Sequence, residues 1–510
     1  MSETMSRRTL LASSGVLAVG AAGAILPGIA FAEPEPEPKP DPGGDAKQTG
    51  DQTKSITGTL EPGVPDWYYL PVDVPRGVRE IEVVYSYDRP QVPPGAKGNA
   101  LDIGIFDPAG HQLGNERGFR GWSGGFRDRF TISATEATPG YLPGPVERGR
   151  WHIILGPYTV ARQGLNYKVD VTLRFGEPGP TFEPDPAPDS APAKDRGKAW
   201  YRGDGHLHTV HSDGRRTPAE LAAAARAAGL DFFISTEHNT SSASLQWGEH
   251  AGDDLLIVNG EEVTTRSGHW PAWGLPVGKW IDWRYRADAP RAFRRFADDV
   301  HDAGGLVVAA HPFAPCFACS WEFSYELADA VEVWNGPWTL DDEAAVITWD
   351  GLLRNGKFVP AVGNSDAHNP DQVVALPHNV VLADGLRTRR LLDGFRAGRN
   401  WIAESAAVSL TYTATDGRRT AGIGERLRVD TGIEVTLEVT VAGVPGTSVR
   451  LLNQNGPQWS QPVDASGSAT VRWTTQSRYS TWVRAEVRRP VPTATTPDTM
   501  VALTNPIFLG

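Results

Sequence analysis

Residues 203–214 read GDGHLHTVHSDG, which puts three of the chain's 12 histidines within one short run. Side chains alternate along a strand, so H-x-H puts the imidazoles of His206 and His208 on one face, where both can bind one cation. Asp213 falls on the loop that follows and can reach a neighbouring ion. Downstream, TPAELAAAARAAG has Thr217 as N-cap, Pro218 at the first helical position, Glu220 to complete a capping box and Gly229 as stop. The alternation continues through the strands LDFFISTEH, LLIVNGEEV and HWPAWGL, the helix APRAFRRFADDVHDAGG, and the strands LVVAAHPF and AVEVWN. A helix near 340–355, the strand FVPAVGNSDAH, the helix TRRLLDGFRAGR and the strand NWIAES complete it. Such alternation implies a parallel sheet with helical crossovers. About seven units favour a closed (β/α)7-like barrel over an open sheet.

His206, His208, Glu237-His238, Glu261-Glu262, His269, His311, Asp366 and His368 all fall at the C-terminal ends of these strands. In an α/β barrel that end is the active-site face. Imidazole with carboxylate suits Zn, Mn or Fe better than Ca or Mg. One tetrahedral ion cannot use so many ligands, so two or three divalent transition-metal ions bridged by a carboxylate are expected. A single His on a strand is usually structural. Six of them (His206, His208, His238, His269, His311, His368), with the acids Asp213, Glu262 and Asp366, reverse that reading. His211 could be a further ligand, but its spacing is common by chance. His111, His152, His250, His301 and His378 lie outside the motifs and are expected at the surface.

The ordered motifs HLHTVHSDG, STEHN, GEEVTTRSGHW, AAHPF and GNSDAH resemble the polymerase and histidinol phosphatase (PHP) superfamily, in its CehA/McbA-type metallohydrolase branch. The likeness spans roughly residues 199–405, and ALTNPIFLG at the C-terminus looks like the same branch. The resemblance implies one ion held by His206, His208, Glu262 and Asp366, a second by Glu262, His269 and His311, and a third by Asp213, His238 and His368. It also implies Glu262, rather than Glu261, as the bridge, from the pattern G-x-E. Asp213 stands where that family often has His. Asp366, His368 and Glu262 are then the catalytic candidates, with Asp366 or a His of the third site shuttling the proton.

On either side of 198–405 the pattern is all-β. Short alternating runs over 54–175 and 406–510 predict an N-terminal and a C-terminal β-sandwich, so the chain is multidomain α/β plus all-β. The Pro-rich segments 33–53 and 176–197 read as linkers. Residues 1–32 carry Arg7-Arg8 in S-R-R-x-L-L, a moderately apolar run and Ala30-Phe31-Ala32, which resembles a cleavable Tat signal peptide. Export across the cytoplasmic membrane follows, with no stable anchor after cleavage.

The chain has 49 Lys plus Arg against 61 Asp plus Glu, a net charge of −12, which speaks against a nucleic-acid partner. Cys316 and Cys319 form a lone C-x-x-C just after His311. It reads as a small disulfide or as two thiols lining the pocket, the disulfide being favoured after export. Trp270, Trp273, Trp280, Trp283, Trp321, Trp334 and Trp338 are core residues or, in part, an aromatic wall for an organic leaving group. The expected activity is hydrolysis of a small-molecule substrate: a phosphoester first, a carbamate or carboxylic ester second. An inert exported binding protein would have lost ligands, and here the set is complete. A proofreading exonuclease fits neither the charge nor the export signal.

Overall fold

The computed structural model describes residues 50–491 and 497–510. The signal-peptide reading over 1–32 and most of the first linker lie outside the described residues.

The first strands are β1 (Gln52–Leu60), β2 (Tyr68–Val74), β3 (Val78–Tyr87), β4 (Ala100–Phe106), β5 (Phe119–Gly124), β6 (Arg129–Ser133), β7 (Gly149–Thr159) and β8 (Leu165–Phe175). They form two four-stranded antiparallel sheets, ordered β1-β8-β3-β6 and β2-β7-β4-β5. The alternation in LNYKVDVTLRF turns Leu165, Tyr167, Val169, Val171 and Leu173 inward, against Ile103, Ile105, Trp151 and Ile153 of the other sheet.

The central part runs β9 (Lys198–Leu207), α1 (Pro218–Ala227), β10 (Phe232–Ser235), α2 (Gly248–Ala251), β11 (Leu256–Thr265), β12 (Gly268–Trp273), α3 (Pro290–Asp302) and β13 (Leu306–Ala309). It continues through β14 (Ala330–Asn335), α4 (Leu340–Arg354), β15 (Ala361–Asn364), β16 (His378–Asp384), α5 (Thr388–Arg396) and β17 (Asn400–Ala403). The capping box of α1 forms as expected. Glu220 N donates to Thr217 Oγ1 at 3.3 Å, and Thr217 N donates to Glu220 Oε2 at 2.8 Å.

A regular (β/α)7 barrel is not what the chain builds. Strands β9, β10 and β11 are parallel, as are β13, β14 and β15. Between these two sets β12 runs antiparallel to both neighbours, and β16 runs antiparallel to β9 and β17. The reason is local. Gly268, at φ +113°, takes a backbone conformation that side-chain-bearing residues rarely adopt, and lets β11 turn directly into β12 without a helix. Between β15 and β9 no regular ladder forms among the described residues; they meet through the bridge Leu207↔Ala367, Gly205 N donating to Asn364 Oδ1 at 2.7 Å, and Asp366 N donating to His206 O at 3.0 Å.

Strand β17 pairs with β26 (Thr499–Thr504), which carries the central sheet on into the C-terminal strands. These are β18 (Ser409–Thr415), β19 (Thr420–Gly422), β20 (Arg426–Leu427), β21 (Val435–Ala442), β22 (Ser448–Asn453), β23 (Gly456–Pro462), β24 (Ala469–Thr475), β25 (Trp482–Arg489) and β27 (Ile507–Leu509). Sheet β19-β18-β21-β24 shares a core with β22, β25 and β26 through Leu437, Val439, Leu451, Val483 and Val487.

Charge also joins β25 to α4. Buried Arg484 donates to Asp350 at 3.0 Å and to Glu486 at 2.6 Å, and Arg488 links Glu486 to Glu343. Removing one partner of a buried pair leaves the other charge stranded, so Arg484→Ala should cost about 3–5 kcal/mol. Arg489→Ala, which breaks a half-exposed pair with Glu404, should cost at most about 1 kcal/mol. Urea unfolding measures both; equal losses would contradict this account of the joint.

Candidate metal centre

The ligand candidates stand on strand ends for reasons visible in the sequence. The glycines of GDGHLH let rings from neighbouring strands pack directly on β9. A Cβ on Gly203 would lie 2.2 Å from the Phe232 ring, and one on Gly205 would lie 2.4 Å from Trp273. His206 and His208, one at the end of β9 and one just past it, are fully buried. His311 (φ +23°) and Asp366 (φ +49°) are held in the left-handed region. Such conformations cluster where function over-determines the backbone. His311 N donates to Glu332 Oε2 at 2.9 Å, and Asp366 N to His206 O at 3.0 Å.

All nine expected ligands converge. Glu262 Oε2 lies 3.2 Å from His206 Nε2, 3.4 Å from His208 Nε2 and 2.9 Å from His238 Nδ1. Its Oε1 lies 3.0 Å from His269 Nδ1 and 3.2 Å from His311 Nε2. Asp366 Oδ1 lies 3.3 Å from His206 Nε2 and 3.0 Å from His208 Nε2. Asp213 Oδ1 lies 3.4 Å from His238 Nε2 and 3.2 Å from His368 Nε2.

Four sets have donor atoms close enough to share an ion: His206-His208-Glu262, His206-His311-Asp366, Glu262-His269-His311 and His208-Asp213-His238-His368. His208 thus joins the set expected from Asp213, His238 and His368.

The donor set fits cations. Buried His206 Nε2, His208 Nε2, His269 Nε2, Asp213 Oδ1, Glu262 Oε2 and Asp366 Oδ1 have no hydrogen-bond partner among the described residues. So many adjacent unsatisfied lone pairs would each carry a desolvation cost, which metal coordination removes. The electrostatics agree. Burial would raise the Glu262 carboxyl, but His238, His206 and His269 hold it well below its ordinary range. Asp366 is held down in the same way, against its burial, by His206, His368 and His208. Burial opposes a charge on His238 and His368, yet Glu262 with Asp213, and Asp366 with Asp213, push them up to about 9 and about 10. In His208 burial wins and the ring falls to about 3.

Around this cluster sit residues that aim it. Glu237 accepts from Thr209 N at 3.1 Å and Ser212 Oγ at 2.5 Å. Glu261, buried on the other face of β11, accepts from Ile281 N at 2.9 Å and takes no part in the cluster. His211 turns to Ser242 Oγ at 2.8 Å instead. His378 is a correction to the surface assignment: it is buried, with Nε2 2.7 Å from Arg202.

Two acids escaped sequence reading. Glu332 Oε1 lies 3.2 Å from His206 Nδ1 and fixes that ring. Asp204 accepts from Ser365 Oγ at 2.5 Å and Ala375 N at 3.0 Å, tying β9 to the loop that carries Asp366. The available cue was a lone acid inside each buried run, AVEVWN and YRGDGHL.

The cluster opens into a cavity of about 560 Å³, walled on the far side by Trp67, Leu101, Trp122, Phe126 and Tyr158 from the first eight strands and their loops. Of the tryptophans expected near the site, only Trp283 lines it. Cys316 and Cys319, joined as a disulfide, stand at its edge.

No protein-family profile matches the chain, and no curated protein does. Among solved structures, it is similar to a two-domain protein from Bacteroides vulgatus containing a predicted PHP-like metal-dependent phosphoesterase: 17% identity, 64% of this chain and 100% of that one, TM-score 0.34. It is also similar to an amidohydrolase from Chromobacterium violaceum, at 18% identity over 34% of this chain and 89% of that one, TM-score 0.25. A candidate metal-dependent phosphoesterase from Bifidobacterium adolescentis matches at 20% identity over 36% of this chain and 92% of that one, TM-score 0.24.

Glu262 touches five imidazoles and Glu261 none, so Glu262→Gln should strip most bound metal while Glu261→Gln retains it, as read by elemental analysis of purified protein. The reverse ranking would contradict the site. Glu332→Gln should keep the fold but lower metal affinity or activity by about 10–100-fold, the usual effect of losing a residue that orients a ligand.

Proposed function

We propose that the protein is a metal-dependent hydrolase of the PHP superfamily, in its CehA/McbA-type branch, acting on a small organic substrate. The observation that carries this reading is the convergence of six imidazoles and three carboxylates, of which four imidazoles and all three carboxylates have a buried nitrogen or oxygen without a hydrogen-bond partner among the described residues. His206, His208, Glu262 and Asp366 would hold one ion, Glu262, His269 and His311 a second, and Asp213, His238 and His368 a third. Zn, Mn or Fe in these sites would supply a water acidic enough to attack at neutral pH, and positive charge for the oxyanion that develops.

The chain's own residues do the rest. Glu332 and Glu237 keep His206 and the loop after His208 in place. His368 Nδ1 donates to the backbone oxygen of Asp366 at 2.8 Å, which sets the ring beside the Asp366 carboxylate, and both side chains are about one-fifth exposed at the cavity. They are therefore the pair that can take a proton from the attacking water and return it to the leaving group.

A phosphoester is the first substrate class. A carbamate or carboxylic ester is the second reading, favoured by the predominance of rings around the cavity. The acidic charge gives no reason for a nucleic-acid partner. Arg7-Arg8 and Ala30-Phe31-Ala32 support export by the Tat route and a place outside the cytoplasmic membrane. No helix among the described residues is long and apolar enough to cross a membrane.

Metal-loaded protein should hold two or three ions per chain and hydrolyse at least one of 4-nitrophenyl phosphate, bis(4-nitrophenyl) phosphate, 4-nitrophenyl acetate or an aryl carbamate, with chelation abolishing the rate. A folded preparation holding less than one ion and inert with added Mn, Zn or Fe would contradict the reading. Replacing Arg7 and Arg8 by Lys should leave the protein in the cytoplasm, followed by fractionation; unchanged export would contradict the Tat route.

A further inference from the structure

Arg266 lies on the turn between β11 and β12, three residues before His269, and lines the same cavity as Glu262, His311 and Asp366. Its side chain is only 5% exposed. Its Nη1 and Nη2 have no hydrogen-bond partner among the described residues. The guanidinium carbon sits 4.0 Å from the Tyr158 ring centroid and 5.3 Å from that of Trp67. Stacking of this kind fixes the plane of the group and leaves its N–H edge free.

The carboxylates nearby do not use that edge. Asp102 Oδ2 is 4.0 Å from Nη2, beyond hydrogen-bond reach. Asp66 is engaged by Arg286 at 2.6 and 2.7 Å. Burial raises the Asp102 carboxyl to about 6 against the pull of Arg266, so it stays charged at neutral pH beside the N–H edge without bonding to it. A buried guanidinium with two open donors costs stability unless something fills it.

We propose that Arg266 is a specificity-determining residue: its unpaired N–H edge receives an oxyanion of the substrate, a carboxylate or phosphate group, while the attached organic body lies along Trp122, Phe126 and Phe317. This inference rests on the hydrolase reading above and narrows its substrate class to organic anions. A guanidinium fork pairs with such oxyanions through two parallel hydrogen bonds, which Lys cannot reproduce. Asp102 then sets the selectivity from the other side, because it disfavours a second negative charge on the same edge.

The test uses the metal-loaded protein and the probes benzoate, non-hydrolysable phenylphosphonate and neutral benzamide, with dissociation constants from calorimetry and metal content recorded for every variant. Wild type should bind at least one of the two anions about tenfold or more tighter than benzamide, the size of one good charge-assisted contact. Arg266→Gln should remove that preference at unchanged metal content, and Arg266→Lys should restore only part of it. Asp102→Asn should tighten anion binding, a gain that a merely structural role for the pair would not produce. Which anion binds tells carboxylate from phosphate as the recognised group. Anion affinity equal in wild type and Arg266→Gln, with metal retained, would place the anion on the ions and overturn the proposal; so would no preference over benzamide in wild type. Failure of the hydrolase reading shows separately, as absent metal or absent turnover.

Discussion

A carboxylate buried to 1% exposure cannot stand without positive charge around it, and Glu262 is such a group. Taking it out of water costs several kcal/mol. Among the described residues no Lys or Arg is paired with it; His206, His208, His238, His269 and His311 are. The fold near the site follows from bringing those five rings to one point. His206 and His208 arrive by the alternation of one strand. His238 is set by the bridge His238↔Glu262. His269 must return to a residue only seven positions earlier, which a hairpin can do and a helical crossover cannot. In the ladder, Thr264 pairs with His269, so β12 brings the ring back over β11. The departure from regular alternation and the cation site have the same cause.

A second constraint runs away from the site through buried amides. Asn505 Nδ2 donates to Asn400 Oδ1 at 2.9 Å, Asn400 to Asn379 at 3.4 Å, Asn379 to Asn364 at 2.9 Å and Asn364 to Glu332 at 2.8 Å. Glu332 in turn holds His206. Asn505, Asn400 and Asn379 also satisfy backbone groups of β15, Ala361 N donating to Asn505 Oδ1 at 2.8 Å, and Asn364 accepts from Gly205 N of β9. Satisfied buried networks of this kind fix one arrangement, because breaking any link leaves a polar group stranded. The C-terminal TNPIF segment is thus part of the scaffold that aims a histidine five links away. The first eight strands contribute differently, by supplying most of the far wall of the cavity.

Much of the site was legible because its chemistry is dense. Strand ends rich in His and acid need no three-dimensional knowledge to be noticed, and the G-x-E register picked Glu262 over Glu261, which the structure separates onto opposite faces of β11. The capping box at Thr217 and Glu220 was legible for the same reason: its signal is local. What stayed hidden depends on distant partners. Glu332 looks like an ordinary acid until β14 brings it to His206, and Asp204 until the loop after β15 comes to β9. His378 looks like a surface residue until Arg202 is placed beside it. The cavity wall from Trp67, Trp122 and Tyr158 could not be read, because nothing local to the first 175 residues says which way that unit faces. Strand direction was misread where Gly268 replaces a helical crossover by a two-strand turn.

The central claim is that Glu262 stands between cations. Anomalous difference density from crystals of metal-loaded protein, recorded at the Mn, Fe and Zn absorption edges, tests it most directly. The account predicts at least two peaks flanking the Glu262 carboxylate, each about 2.0–2.3 Å from its carboxylate oxygen and from the imidazole nitrogens around it. Density confined to the protein surface, or a metal-loaded protein with no peak beside Glu262, would contradict it.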